Sequence, residues 1–83
     1  MSKSEVFEKI KTILAAQLHL EPDSIHENSN IAKDLGADSL DTAEIAIMVN
    51  DEFSYDLSDG EIKSIKTVKD IVDVIVGREV KQS

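Results

Sequence analysis

The chain has no cysteine, no tryptophan and a single proline, and only three aromatic residues, Phe7, Phe53 and Tyr55. Without thiols there is no disulfide framework and no thiolate metal site. That fits a reducing compartment, and a cytoplasmic location is expected. With so few aromatics the core must be aliphatic, built from Ile, Leu, Val and Ala. Cations are also scarce: 9 Lys plus Arg face 17 Asp plus Glu, for a net charge of −8. Such a balance disfavours nucleic acid and anionic membranes and favours basic protein surfaces, although acidity also serves solubility by itself. No apolar run is long enough to cross a bilayer, and Met1–Glu5 lacks the apolar centre of a signal peptide, so no membrane insertion is expected. Repeats and low-complexity tracts are absent as well. The 83 residues are expected to form one domain, 1–83, with a small core.

What is present is helical periodicity. Val6, Phe7, Ile10, Ile13, Leu14 and Leu18 follow the i, i+3, i+4, i+7 spacing of an amphipathic helix from about Ser4 to Leu18. Ser2 with Glu5 forms a capping box, or Ser4 caps a later start. Pro22 breaks the pattern, and a long connection from about His19 to Asp38 is expected, with one helical turn at Pro22–Ile25 and Ile25, Ile31 and Leu35 as anchors. Gly36 supplies a positive-φ or flexible position. A second helix is predicted from Ser39 to about Phe53, capped by Asp38 and Asp41. Ser58 and Glu61 open a short third helix. A fourth runs from Val68 to about Val76, capped by Thr67 and Asp70, with Gly77 as its stop and a polar, frayed tail from Arg78 to Ser83. The fold class is therefore all-α, a four-helix bundle with three longer helices and one short one.

The second helix carries two apolar stripes. Thr42, Ile45, Ala46, Val49 and Phe53 point to the core. Leu40, Ala43 and Ile47 form another stripe, flanked by Asp41, Glu44, Asp51 and Glu52. Such a stripe reads either as extra core or as a docking surface rimmed by carboxylates.

Catalytic chemistry finds little support. His19 and His26 both lie in or beside the first loop, and the run Gly36-Ala37-Asp38-Ser39-Leu40 has no glycine after the serine, unlike a nucleophile elbow. No catalytic residue is assigned. Counting back from Gly36 or Gly60 puts Ile31 or Tyr55 where a calcium loop needs an acid. No metal site, phosphate loop or dinucleotide fingerprint is found. Ser39 remains: a hydroxyl at the first turn of a helix, reached by a glycine-containing loop. By itself that describes an ordinary N-terminal helix serine as well as a site modified by another enzyme.

The run Asp34-Leu35-Gly36-Ala37-Asp38-Ser39-Leu40-Asp41-Thr42 closely resembles the attachment motif of the acyl carrier proteins. The similarity continues through Glu44, Asp51-Glu52-Phe53 and Thr67-Val68 to Val76, and more loosely back to Val6. The resemblance implies that Ser39 carries a covalent 4′-phosphopantetheine arm and that acyl groups ride on it as thioesters during fatty-acid synthesis. It implies a substrate carrier rather than an enzyme. It assigns Asp38, Leu40, Asp41, Ala43, Glu44, Ile47 and Asp51 to partner recognition. The partners would be a phosphopantetheinyl transferase and fatty-acid synthesis enzymes, met through their basic surfaces by a monomeric carrier. An acyl pocket is expected between the second helix and the last two, lined by Ile45, Ala46, Val49, Ile65, Val72 and Ile75. Departures from the family pattern are Ala43, Ile47, Asn50, Ser58, Gly60 and Ile31. Two alternatives stand beside this: a carrier for specialised acyl chemistry such as polyketide or lipid A assembly, and an acidic interaction module without a prosthetic group.

Overall fold

The structure, a computed structural model, describes residues 2–82, and side chains for residues 2–78. Four α-helices follow one another: α1 Lys3–Leu18, α2 Ser39–Phe53, α3 Asp59–Ser64 and α4 Val68–Gln82, with a single 3₁₀ turn at Pro22–Ser24. The described residues contain no strand, only an isolated antiparallel bridge between Asn30 and Thr67.

Helix starts are set by side chains that answer the unpaired N–H groups of the first turn. Ser2 accepts from the Glu5 N–H while Glu5 accepts from the Ser2 N–H. Ser58 and Glu61 repeat that reciprocal pair at α3. Asp70 accepts from the N–H groups of Lys66 and Thr67, which hold its carboxyl below the usual carboxylate range. Thr67 Oγ1 in turn accepts from the Asp70 N–H at 3.3 Å. The C-termini of α1 and α2 close with His19 and Ser54 in the left-handed region, at φ 57° and 56°.

The core is aliphatic. Val6, Ile10, Leu14, Val49, Val68, Ile71, Val72 and Ile75 are almost fully shielded. Each such side chain contributes about 1.5–3 kcal/mol by leaving water. Helix α1 packs on α4 and on α2. Phe53 is the buried aromatic at the edge, its ring 6.2 Å from that of Tyr55.

The long α1–α2 connection is pinned rather than loose. Ile25 and Ile31 are buried and Leu35 is half-buried. The carbonyls of Glu27 and Ser29 accept from the N–H groups of Lys69 and Val68, and Ile31 N donates to Lys66 O at 2.9 Å. The loop thus supplies acceptors to the first turn of α4, a role that its sequence does not announce. Gly36 has φ 78°, the left-handed geometry that lets the chain turn into α2.

One expectation is corrected. Helix α4 does not stop at Gly77 but runs on to Gln82, and Gly77 does not adopt a positive φ. The pairing of Arg78 with Glu61 and the Asp56 carbonyl holds the chain against α3 and keeps the helix going. Ser83, the last residue of the expected tail, lies outside the described residues.

Candidate functional site

Asp38 creates the site by capping α2. Its Oδ1 accepts from the Asp41 N–H at 2.8 Å, and Asp41 Oδ2 accepts from the Asp38 N–H at 3.2 Å. The Asp38 carbonyl accepts from both the backbone N–H and the hydroxyl of Thr42, each at 2.9 Å. Ser39 is the first helical residue after this cap, and it is exposed. The N–H groups of Ser39 and Leu40 precede the bonded part of the helix, at the positive end of its dipole. A hydroxyl there is open to another enzyme, and an anion bonded to it would meet those donors.

The second stripe of α2 is solvent-facing. Leu40 is 66% exposed and Ile47 62%, the only large apolar side chains so exposed among the described residues, and Ala43 between them is exposed too. The carboxylates around them do different things. Asp38 and Asp41 are engaged with each other's backbone. Glu44 accepts from Gln17 Nε2 on α1, a contact across 27 positions that the sequence did not suggest. Asp51 is exposed, and its neighbour Glu52 pairs with Lys9 at 3.4 Å. Asn50 faces the other way: its Oδ1 accepts from the Leu57 N–H and orders the α2–α3 turn.

Behind Ser39, a narrow apolar cavity of about 10 Å³ lies between α2, α3 and α4. That is room for about one water molecule, so the surrounding side chains nearly fill the cavity. Ile45, Ala46, Val49 and Ile65 line it, together with Ile31, Thr42, Leu57, Ile62 and Ile71. Val72 and Ile75, expected among its walls, instead belong to the fully shielded core and are not in the lining. Of the added walls, Thr42 and Ile71 lie on α2 and α4, whereas Ile31 and Leu57 come from connections and Ile62 from α3, contributions that no single-helix periodicity encodes. Two open grooves adjoin it. One, about 360 Å³, runs past Ser39, Thr42, Ala43, Ile62, Lys63 and Ile65. The other, about 220 Å³, is lined by residues 30–33, Thr42, Ile65 and Lys66. Thr42 and Ile65 are common to all three spaces.

Among the described residues no helix is long and apolar enough to cross a membrane, and no group of three or more His, Cys, Asp or Glu is placed to hold a metal ion.

Comparisons with known proteins bear on the same stretch. The family described as "Phosphopantetheine attachment site" matches residues 8–75. The acyl carrier protein of Thermosynechococcus vestitus is 40% identical over 75 residues, covering 90% of this chain and 93% of the relative. That of Lactobacillus acidophilus is 44% identical over 75 residues, covering 90% and 94%. The solved structure of the acyl carrier protein from Enterococcus faecalis superposes with a TM-score of 0.77 at 35% identity, covering 93% of this chain and 98% of that one. With the capped serine at the head of α2, the helical bundle around it and this agreement along nearly the whole length, the chain belongs to the acyl carrier protein family.

Proposed function

We propose that residues 1–83 act as one carrier domain whose working group is Ser39, the attachment point of a covalent 4′-phosphopantetheine. The observation that carries this is the exposed Ser39 hydroxyl at the capped start of α2, within the matched attachment domain. The residues fit the group: free N–H donors of the first turn face a phosphodiester, and the groove past Thr42, Ala43 and Ile65 offers a partly apolar bed. When bound, the arm supplies a terminal thiol for thioester linkage, which the chain itself lacks. The protein's own part is presentation, not catalysis.

Leu40, Ala43 and Ile47 form the apolar centre of the partner surface, and Asp38, Asp41, Glu44 and Asp51 its acidic rim. Exposed apolar residues ringed by charge are what a transient interface needs. A phosphopantetheinyl transferase and the enzymes of fatty-acid synthesis, meeting it through basic surfaces in the cytoplasm, are the partners this reading names. The acyl chain enters the narrow cavity by parting Ile65 and Thr42 from Ile45, Ala46 and Val49.

The decisive experiment treats the apo protein with coenzyme A and a phosphopantetheinyl transferase and reads intact mass. Addition of one arm to the wild type and none to Ser39→Ala is expected. Addition to Ser39→Ala, or none to the wild type, overturns the assignment. Loading with acyl groups of increasing length should then raise the melting temperature stepwise, whereas a flat series would place the chain outside the cavity.

A further inference from the structure

The side-chain cations up to Arg78 fall into two groups. Lys3, Lys9, Lys11 and Arg78 each pair with a carboxylate. Lys33, Lys63, Lys66 and Lys69 are exposed and make no ion pair with any described residue. Three of these four border the grooves beside Ser39: Lys63 the one that contains Ser39, Lys33 and Lys66 the adjoining one. On a chain of net charge −8 with 17 carboxylates, ammoniums that pair with no carboxylate yet line adjoining grooves are free to meet an external anion.

Their placement is held firmly. Ile31 N donates to Lys66 O at 2.9 Å, and Asn30 bridges Thr67. Asn30 Oδ1 accepts from the Lys33 N–H at 2.8 Å. The loop bearing Lys33 and the segment bearing Lys66 therefore share one base. The carboxylates closest in sequence are engaged elsewhere. Asp34 accepts from Asn30 N at 2.7 Å, Asp70 from the N–H groups of Lys66 and Thr67, and Glu61 from Arg78.

Resting on the reading of Ser39 as the attachment point, we propose that Lys33 and Lys66 form a subsite for the terminal carboxylate of a short acyl group carried on the arm, so that this chain favours cargo ending in a carboxylate. A single anion at Ser39 accounts for Lys63 but not for the other two, which line a groove that does not include Ser39. A second anion farther from the serine does account for them. The apolar cavity does not suit such a cargo, because a carboxylate inside it would lose its water without gaining a partner. The shared residues Thr42 and Ile65 then separate two destinations: methyl-ended chains pass inward between them, and carboxylate-ended groups stay over them in the open groove. Because both lysines are exposed, the hold is weak and screened by salt, which suits a cargo that must leave for the next enzyme.

The test loads the full chain, through the transferase, with acetyl-coenzyme A or malonyl-coenzyme A, two cargoes that differ by one terminal carboxylate. Intact mass verifies loading. At low salt the malonyl form is expected to melt about 2–6 °C above the acetyl form and to shift the backbone amide NMR signals of Lys33 and Lys66. Molar salt, or the double variant Lys33→Gln with Lys66→Gln, should abolish the difference. Both residues are exposed, so the variant is expected to fold as the wild type. Equal melting of the two loaded forms, or a difference indifferent to the lysines, overturns the proposal. So does a variant that weakens a partner's affinity without any malonyl effect, which would assign the lysines to an acidic protein surface. Failure to load at all defeats the Ser39 reading, whereas loading without a lysine response defeats this subsite alone.

Discussion

Arg78 on α4 clasps Glu61 on α3: its Nε donates to Glu61 Oε2 at 3.3 Å, while its Nη2 donates to Glu61 Oε1 and, at 3.2 Å, to the Asp56 carbonyl. Arg78 and the Ser58 N–H together hold the Glu61 carboxyl down from an ordinary 4.5 to about 2. A carboxyl with a depressed folded-state pKa stabilises the fold above its unfolded value and ceases to do so as pH falls through the folded value. Thermal melts between pH 5 and pH 2 should therefore show a steep loss in the wild type. Glu61→Gln should melt lower near neutrality and lose less across that window; an unchanged acid slope would remove Glu61 from the account.

Gly77 is a glycine inside a helix, and a Cβ added there meets no atom within 4 Å. Gly77→Ala is expected to raise stability by about 0.5–1 kcal/mol in urea titration. Ser54 is the mirror case, a left-handed helix end without glycine. Ser54→Gly should also stabilise, by about 0.5–1 kcal/mol, through relief of the Cβ crowding.

At Gly36 space is equally free, but φ is 78°. Gly36→Ala should cost about 1 kcal/mol, and Gly36→Val more, with Gly36→Asn milder because asparagine tolerates left-handed geometry. Because an added Cβ meets nothing within 4 Å, steric contact does not account for the cost, and an equal loss for all three would argue against backbone strain as its cause.

Leu40 and Ile47 stabilise the free protein little, being mostly exposed. Leu40→Ala and Ile47→Ala should each move unfolding free energy by no more than about 0.5 kcal/mol. The same changes should weaken transferase binding by about 0.5–3 kcal/mol, measured by calorimetry. Asp51→Lys tests the rim without touching a cap and should slow association in a salt-dependent way. Asp38→Ala differs: it removes the N-cap acceptor and should cost about 1 kcal/mol of stability as well.

Ile71 and Val72 belong to the shielded core on α4. Ile71→Ala should lower stability by about 2–5 kcal/mol, enough to threaten a small domain. Since Ile71 also lines the narrow cavity, loading a medium-length acyl chain should recover part of that loss; a loss that loading leaves untouched would separate the cavity from acyl binding.

Local chemistry made most of this protein legible in one dimension. The caps at Ser2, Asp38, Ser58 and Thr67 and the helical spacing of their apolar residues set where each helix begins, and Gly36 marked the turn into α2, because these effects act over a few residues. The second apolar stripe of α2 was readable for the same reason, but its exposure was not, and Ser39 stood out from an ordinary helix serine only through the resemblance of its motif to a known family. What only the tertiary structure decided spans long separations. The loop carbonyls of Glu27 and Ser29 answer α4, Gln17 reaches Glu44, and Arg78 carries α4 past a glycine that local propensity reads as a stop. The cavity draws walls from Ile31, Leu57 and Ile62 as well as from α2, while Val72 and Ile75 turn into the core. A helix period fixes which face of an element is apolar, but which neighbours cover that face, and where a gap remains, depends on how the helices and the loop pack together.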